Sequence, residues 1–167
     1  MLSISSLRSR LASARRLDVF HQVARGLANS VVISAALALA LIAAESLIHG
    51  TVQVRTAMAA SWALVTVAAV VKLVLPAALQ LAGVRQGQSL VAVAHRVGDA
   101  YPDIGDMLGN VLQLADSTSG SAELRQQAYA DVAESVEPLD FSVIVDKRPT
   151  RKAFVWMVFS IVLSAFL

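Results

Sequence analysis

The chain has 167 residues, of which 56% are hydrophobic and only 16% charged, against about 25% charged in an average soluble domain. Its apolar residues are gathered in blocks rather than spread at core-forming intervals, a pattern that excludes an ordinary water-soluble globule and favours burial in a bilayer. The absence of Cys excludes a disulfide framework, a thiol nucleophile and a thiolate metal site. The net charge of +2 conceals a split, because residues 1–29 hold five Arg against the single acid Asp18, whereas residues 99–146 hold ten acids against the single base Arg125.

The first element is the basic arm, residues 1–29. It contains one aromatic, Phe20, so its Arg residues fit a topology signal and contact with anionic headgroups better than nucleic-acid binding. Residues 30–48, SVVISAALALALIAAESLI, form a 19-residue apolar run close to the roughly 20 needed to cross a bilayer core, and predict a first span. A second run, residues 57–84, is interrupted only by Lys72, Pro76 and Gln80. It is long enough either to cross with tilt or to end near Pro76 and continue along the interface. HGTVQVR between the runs reads as a short turn with Gly50 as the helix terminator. Residues 30–84 are therefore expected to form an antiparallel transmembrane hairpin. Basic residues concentrate before the first run and after the second, with only Arg55 between them, and the positive-inside rule puts both hairpin ends, and the N-terminus, in the cytoplasm.

Residues 85–152 read as a cytoplasmic helical insert. Leu90, Ala94, Val97 and Tyr101 recur at helical spacing before Pro102, and Met107, Leu108, Val111, Leu112 and Ala115 follow. Leu124, Ala128, Val132 and Val136 make a third apolar line after the N-cap candidate Ser121. The stretch 117–121 reads as a link and Pro138 as a terminator. Leu139, Phe141, Val143 and Val145 then alternate, which suggests a short extended segment. After KRPTRK come 15 apolar residues, 153–167, about 22 Å of helix. They are expected to begin a third span, running outward, of a chain that continues further.

The phrases SLVAVAHRVGDAYPDIGDMLGNVLQLAD and SAELRQQAYADVAE, set between two spans and a third, resemble the N-terminal region of a family of large bacterial multi-span membrane proteins of unknown function. The most specific part is the phrase from His95 to Leu114. The resemblance implies this topology and a longer chain, and supplies no catalytic residues.

Candidate chemistry is sparse. His21, His49 and His95 fall in separate parts of the chain, whereas a metal site needs converging ligands, so no metal is expected. His49, at the outer end of the first span, is the single candidate cofactor ligand, because one imidazole suffices for a porphyrin-type pigment; beyond such a pigment or a lipid, no cofactor is identifiable. Glu45 and Lys72 are the intramembrane charges, and such residues are functional candidates by default. With span centres near 39 and 69 they lie about 9 Å to the outer side and 4 to 5 Å to the inner side, too far apart in depth to pair. Ala36, Ala40 and Ala44, with Ala57, Ser61, Ala59 and Ala63, offer small faces for close helix packing. Trp62 and Trp156 are expected to anchor at opposite interfaces. Phosphate-loop, GxSxG and HExxH motifs are absent from the sequence.

The expected protein is thus an all-α multi-pass protein of a bacterial cytoplasmic (inner) membrane and not an enzyme. It would serve as a non-catalytic subunit or anchor whose partners are lipid and other membrane subunits, with a photosynthetic or respiratory complex as one host. A membrane sensor or transport-associated protein is the second expectation, and a pigment- or quinone-binding accessory subunit the third.

Overall fold

The computed structural model describes residues 4–84, 87–101, 104, 107–116, 132 and 134–166. Its elements are helical, in the order α1 (Ile4–Ile48), α2 (Val52–Leu73), α3 (Leu75–Leu81), α4 (Leu90–Ala100), α5 (Met107–Asp116), a 3-10 turn (Phe141–Ile144) and α6 (Arg148–Ala165). Helix α1 absorbs both the basic arm and the first apolar run. Its 45 residues include no Pro and one Gly, so nothing breaks the hydrogen-bond ladder over roughly 68 Å. It ends with His49 at φ 49°, the left-handed residue that closes the last turn by donating to the Glu45 carbonyl at 2.9 Å. The terminator is therefore His49 and not Gly50, which is needed for room: a Cβ there would lie 2.9 Å from Val54.

Contacts divide the chain into two compact units: a helical module, Met1–Asp18 with Gln86–Asp146, and an apolar unit, Val19–Arg85 with Lys147–Leu167. In the module, α4 starts at an N-cap, Ser89 Oγ accepting from Ala92 N at 3.1 Å. It buries Val93, Ala94, Val97 and Gly98 against Leu108, Val111 and Leu112 of α5. Val132 and Val136 of the expected third insert helix join this core, as do Leu7, Leu11 and Ala14 of α1; Leu124, Ala128 and the 117–121 link lie outside the described residues. The expected extended segment is instead the 3-10 turn. Asp140 accepts from Ser142 N at 2.9 Å and from its hydroxyl at 2.7 Å, a local turn that competes with any strand, and no strand is available among the described residues to pair with one. Phe141 is buried while Val143 is exposed.

In the apolar unit the second run breaks at Val74, just before Pro76, because the ring removes an N–H and clashes with the preceding turn. The centre of α2 (Val52–Leu73) thus falls near residue 62 rather than 69. Trp62 is consequently near the middle of α2, and Lys72 sits in its last turn. Helix α6 starts at Arg148, with Pro149 in the first turn where its missing N–H costs nothing, so the basic run lies within the helix rather than before it.

Candidate functional site

The apolar unit contains a concavity between its three helices. Gly26 lies against α2: a Cβ there would be 2.4 Å from the Leu73 carbonyl oxygen. Further along, Trp62 Nε1 donates to the Ser34 carbonyl at 3.1 Å and Thr66 Oγ1 to Ser34 Oγ at 3.1 Å. Near the end, Arg55 pairs with Glu45. Each advance along α1 is matched by a retreat along α2, so the two helices run antiparallel. Helix α6 meets α1 where Thr150 Oγ1 donates to the His21 carbonyl at 3.5 Å.

Between these three helices runs a groove of about 370 Å³. Helix α1 lines it with Leu27, Ser30, Ser34, Ala35 and Ala38, α2 with Trp62, Thr66 and Val70, and α6 with Ile161 and Ser164. The hydroxyls of Ser30, Thr66 and Ser164 donate within the protein. Ser30 donates to the Gly26 carbonyl at 2.9 Å and Ser164 to the Ser160 carbonyl at 2.8 Å, while Thr66 and the Trp62 indole are held by Ser34. The groove therefore offers an occupant mainly carbon, within the 300–1,000 Å³ range of ordinary ligand sites.

The small-residue face that brings α1 and α2 together is Gly26, Ser30, Ser34 and Ala38, spaced by four. It is not the expected one: Ala36, Ala40, Ala57, Ala59, Ser61 and Ala63 are exposed. The spacing was visible in the sequence, but counting the span from residue 30 put Gly26 outside it.

Comparison with known proteins adds no relative. No family model, curated protein or solved structure matches the chain.

The remaining candidates are dispersed. His49 is exposed at the end of α1, eleven residues past the last groove residue of that helix, Ala38. His21 faces Phe20 edge-on, 6.3 Å between ring centroids, with Nδ1 buried and without a hydrogen-bond partner. His95, in the module, packs on Gly109, where a Cβ would come 3.0 Å from its ring. Among the described residues no three or more His, Asp or Glu gather as a metal site would require. Glu45 takes Arg55 as its partner rather than Lys72.

The module's polar contacts centre on the arm. Arg10 donates to the carbonyls of Val136 (3.2 Å) and Leu139, and its guanidinium lies 4.6 Å from the Phe141 ring centroid. Arg15 donates to the Gln88 carbonyl at 3.1 Å. Arg96 joins Asp18 at 3.0 Å and the Ile144 carbonyl at 3.0 Å. Beyond the topology signal and headgroup contact expected of the basic arm, their fixed fork satisfies carbonyls left open where helical segments end.

Proposed function

We propose that the chain is a non-catalytic integral membrane subunit or anchor of a larger assembly in a bacterial cytoplasmic membrane. In this reading α1 and α2 form a transmembrane hairpin, α6 lies beside it as a third membrane helix, and the helical module sits on the cytoplasmic side. The observation that carries the proposal is the exposure of apolar side chains on helices long enough to span. None of α2 is buried, and the apolar windows of both α1 and α2 have no buried residue, which a core helix of a water-soluble protein could not tolerate. On α6, Phe154, Trp156, Phe159 and Ile161 are likewise exposed. Lipid and neighbouring membrane helices are the partners such faces fit.

The test starts from native membranes washed with alkaline carbonate and solubilised in mild detergent. The chain should remain in the washed pellet and then migrate well above its own 17.6 kDa with other membrane chains in fixed ratio, identified by mass spectrometry. Release by carbonate contradicts membrane residence; a species free of other chains contradicts the subunit role.

A further inference from the structure

The chain crosses between the helical module and the apolar unit three times, between residues 18 and 19, 85 and 86, and 146 and 147. Each crossing adjoins a helix: α1 runs on through the first, α3 ends shortly before the second, and α6 starts just after the third. One side chain of the module meets all three of these leads. Arg96, on α4, donates through Nη1 to Asp18 Oδ2 at 3.0 Å and to Gln88 Oε1 at 3.1 Å, and through Nη2 to the Ile144 carbonyl at 3.0 Å. Its partners therefore stand at the first crossing and close beside each of the other two. Arg15 adds a second tie between the first two leads by donating to the Gln88 carbonyl at 3.1 Å.

We infer that Arg96 is a latch, holding the three leads together and able to release them while the core of the module stays closed. The latch goes beyond the anchor reading and does not depend on it. Its bonds differ in kind from those of the core. Helix α4 closes the core with Val93, Ala94 and Val97, all buried, whereas the Arg96 side chain is 37% exposed. Water can take over its hydrogen bonds without uncovering apolar surface, so the latch opens locally while the core opens only with the module as a whole. The residue type matters as well. A guanidinium carries its donors in a fixed planar fork and reaches several acceptors at once, whereas an ammonium is a point charge on one nitrogen. Asp18 supplies the charged acceptor that strengthens the hold, and Gln88 and Ile144 supply neutral ones. What the latch frees is chain that continues into α1, α3 and α6, so a single event on α4 is felt at three points of the chain.

The test is amide exchange in the full chain, purified in mild detergent. The third lead is read at Val143 and Val145, whose amides donate to the Asp140 and Ser142 carbonyls. The second is read at Ala92 and Val93, whose amides are held by Ser89, and the core at Val97 and Leu112, both buried. R96Q should speed exchange at Val143 and Val145 about tenfold or more and leave Val97 and Leu112 within about twofold, as for a local opening. Ala92 and Val93 should speed up in R15Q/R96Q, because Arg15 still holds the Gln88 carbonyl in the single variant. R96K keeps a charge beside Asp18 but loses the fork, and should match R96Q at Val145. Core exchange rising as much as exchange at the leads, failure of R96Q to fold included, would make Arg96 an ordinary part of the fold and overturn the inference. So would unchanged exchange at Val143 and Val145 in R96Q, unchanged exchange at Ala92 and Val93 in R15Q/R96Q, or an R96K chain indistinguishable from the unmodified one.

Discussion

Gly26 shows how one missing side chain sets the apolar unit. A Cβ would meet the Leu73 carbonyl oxygen at 2.4 Å, and that atom belongs to helical backbone, so it cannot yield as a flexible side chain would. Gly26→Ala is expected to lose about 1–3 kcal/mol, the usual range for overpacking, although Ala favours a helix interior by about 1 kcal/mol over Gly. Ala36→Val and Ala40→Val, on the exposed face, should stay within about 0.5 kcal/mol. Thermal unfolding in one detergent distinguishes the two faces, and reversed effects would restore the alanine face. Arg10 plays the corresponding part in the module. Losing its bonds to the Val136 and Leu139 carbonyls should cost about 1.5–3 kcal/mol in Arg10→Ala, as for hydrogen bonds to a charged group. Arg10→Lys should recover only part, because an ammonium cannot reproduce the fork. Amide exchange across residues 136–145 is the readout, and unchanged protection in Arg10→Ala would refute the capping role.

Among elements, α1 is the one whose extent periodicity did not reveal. The apolar run from Ser30 is plain in the sequence, and so is most of the buried face of α4 and α5, although Val93 is buried outside the expected line and Met107 within it is exposed. The basic arm reads as a separate segment because its five Arg against one acid set it off from the apolar run that follows. Leu7, Leu11 and Ala14 stand one turn apart within it, and they are buried, so the arm is amphipathic and walls the module's core. Leu11 is 0% exposed, and Leu11→Ala should cost about 2–5 kcal/mol, as for a fully buried leucine. Faster amide exchange should appear in α4 and α5, which share its core, as well as around the substitution. A loss confined to α1 would mean that the insert holds its core without the arm. The 3-10 turn was illegible for a different reason: alternation at Leu139, Phe141, Val143 and Val145 imitates a strand, while Asp140 closes a local turn whose cost or benefit no periodicity reports. Pro76 was read as a place where the second run might end, and α2 does stop there. Its effect on where Lys72 and Trp62 fall along α2 follows only once the helix end is fixed.

At the scale of the whole molecule, the central claim is that α1 and α2 cross a membrane as a hairpin with the helical module inside. The sequence suits the test, because the chain contains no Cys and single substitutions report without background. Cysteine is placed at Thr51, between α1 and α2, at Ser5 near the start of α1, and at Glu134 in the module, all three exposed positions. Intact cells are then treated with a membrane-impermeant thiol reagent, before and after permeabilisation. Thr51→Cys should label in intact cells, and Ser5→Cys and Glu134→Cys only after permeabilisation. Labelling of Ser5→Cys or Glu134→Cys in intact cells, or protection of Thr51→Cys until permeabilisation, would contradict the account.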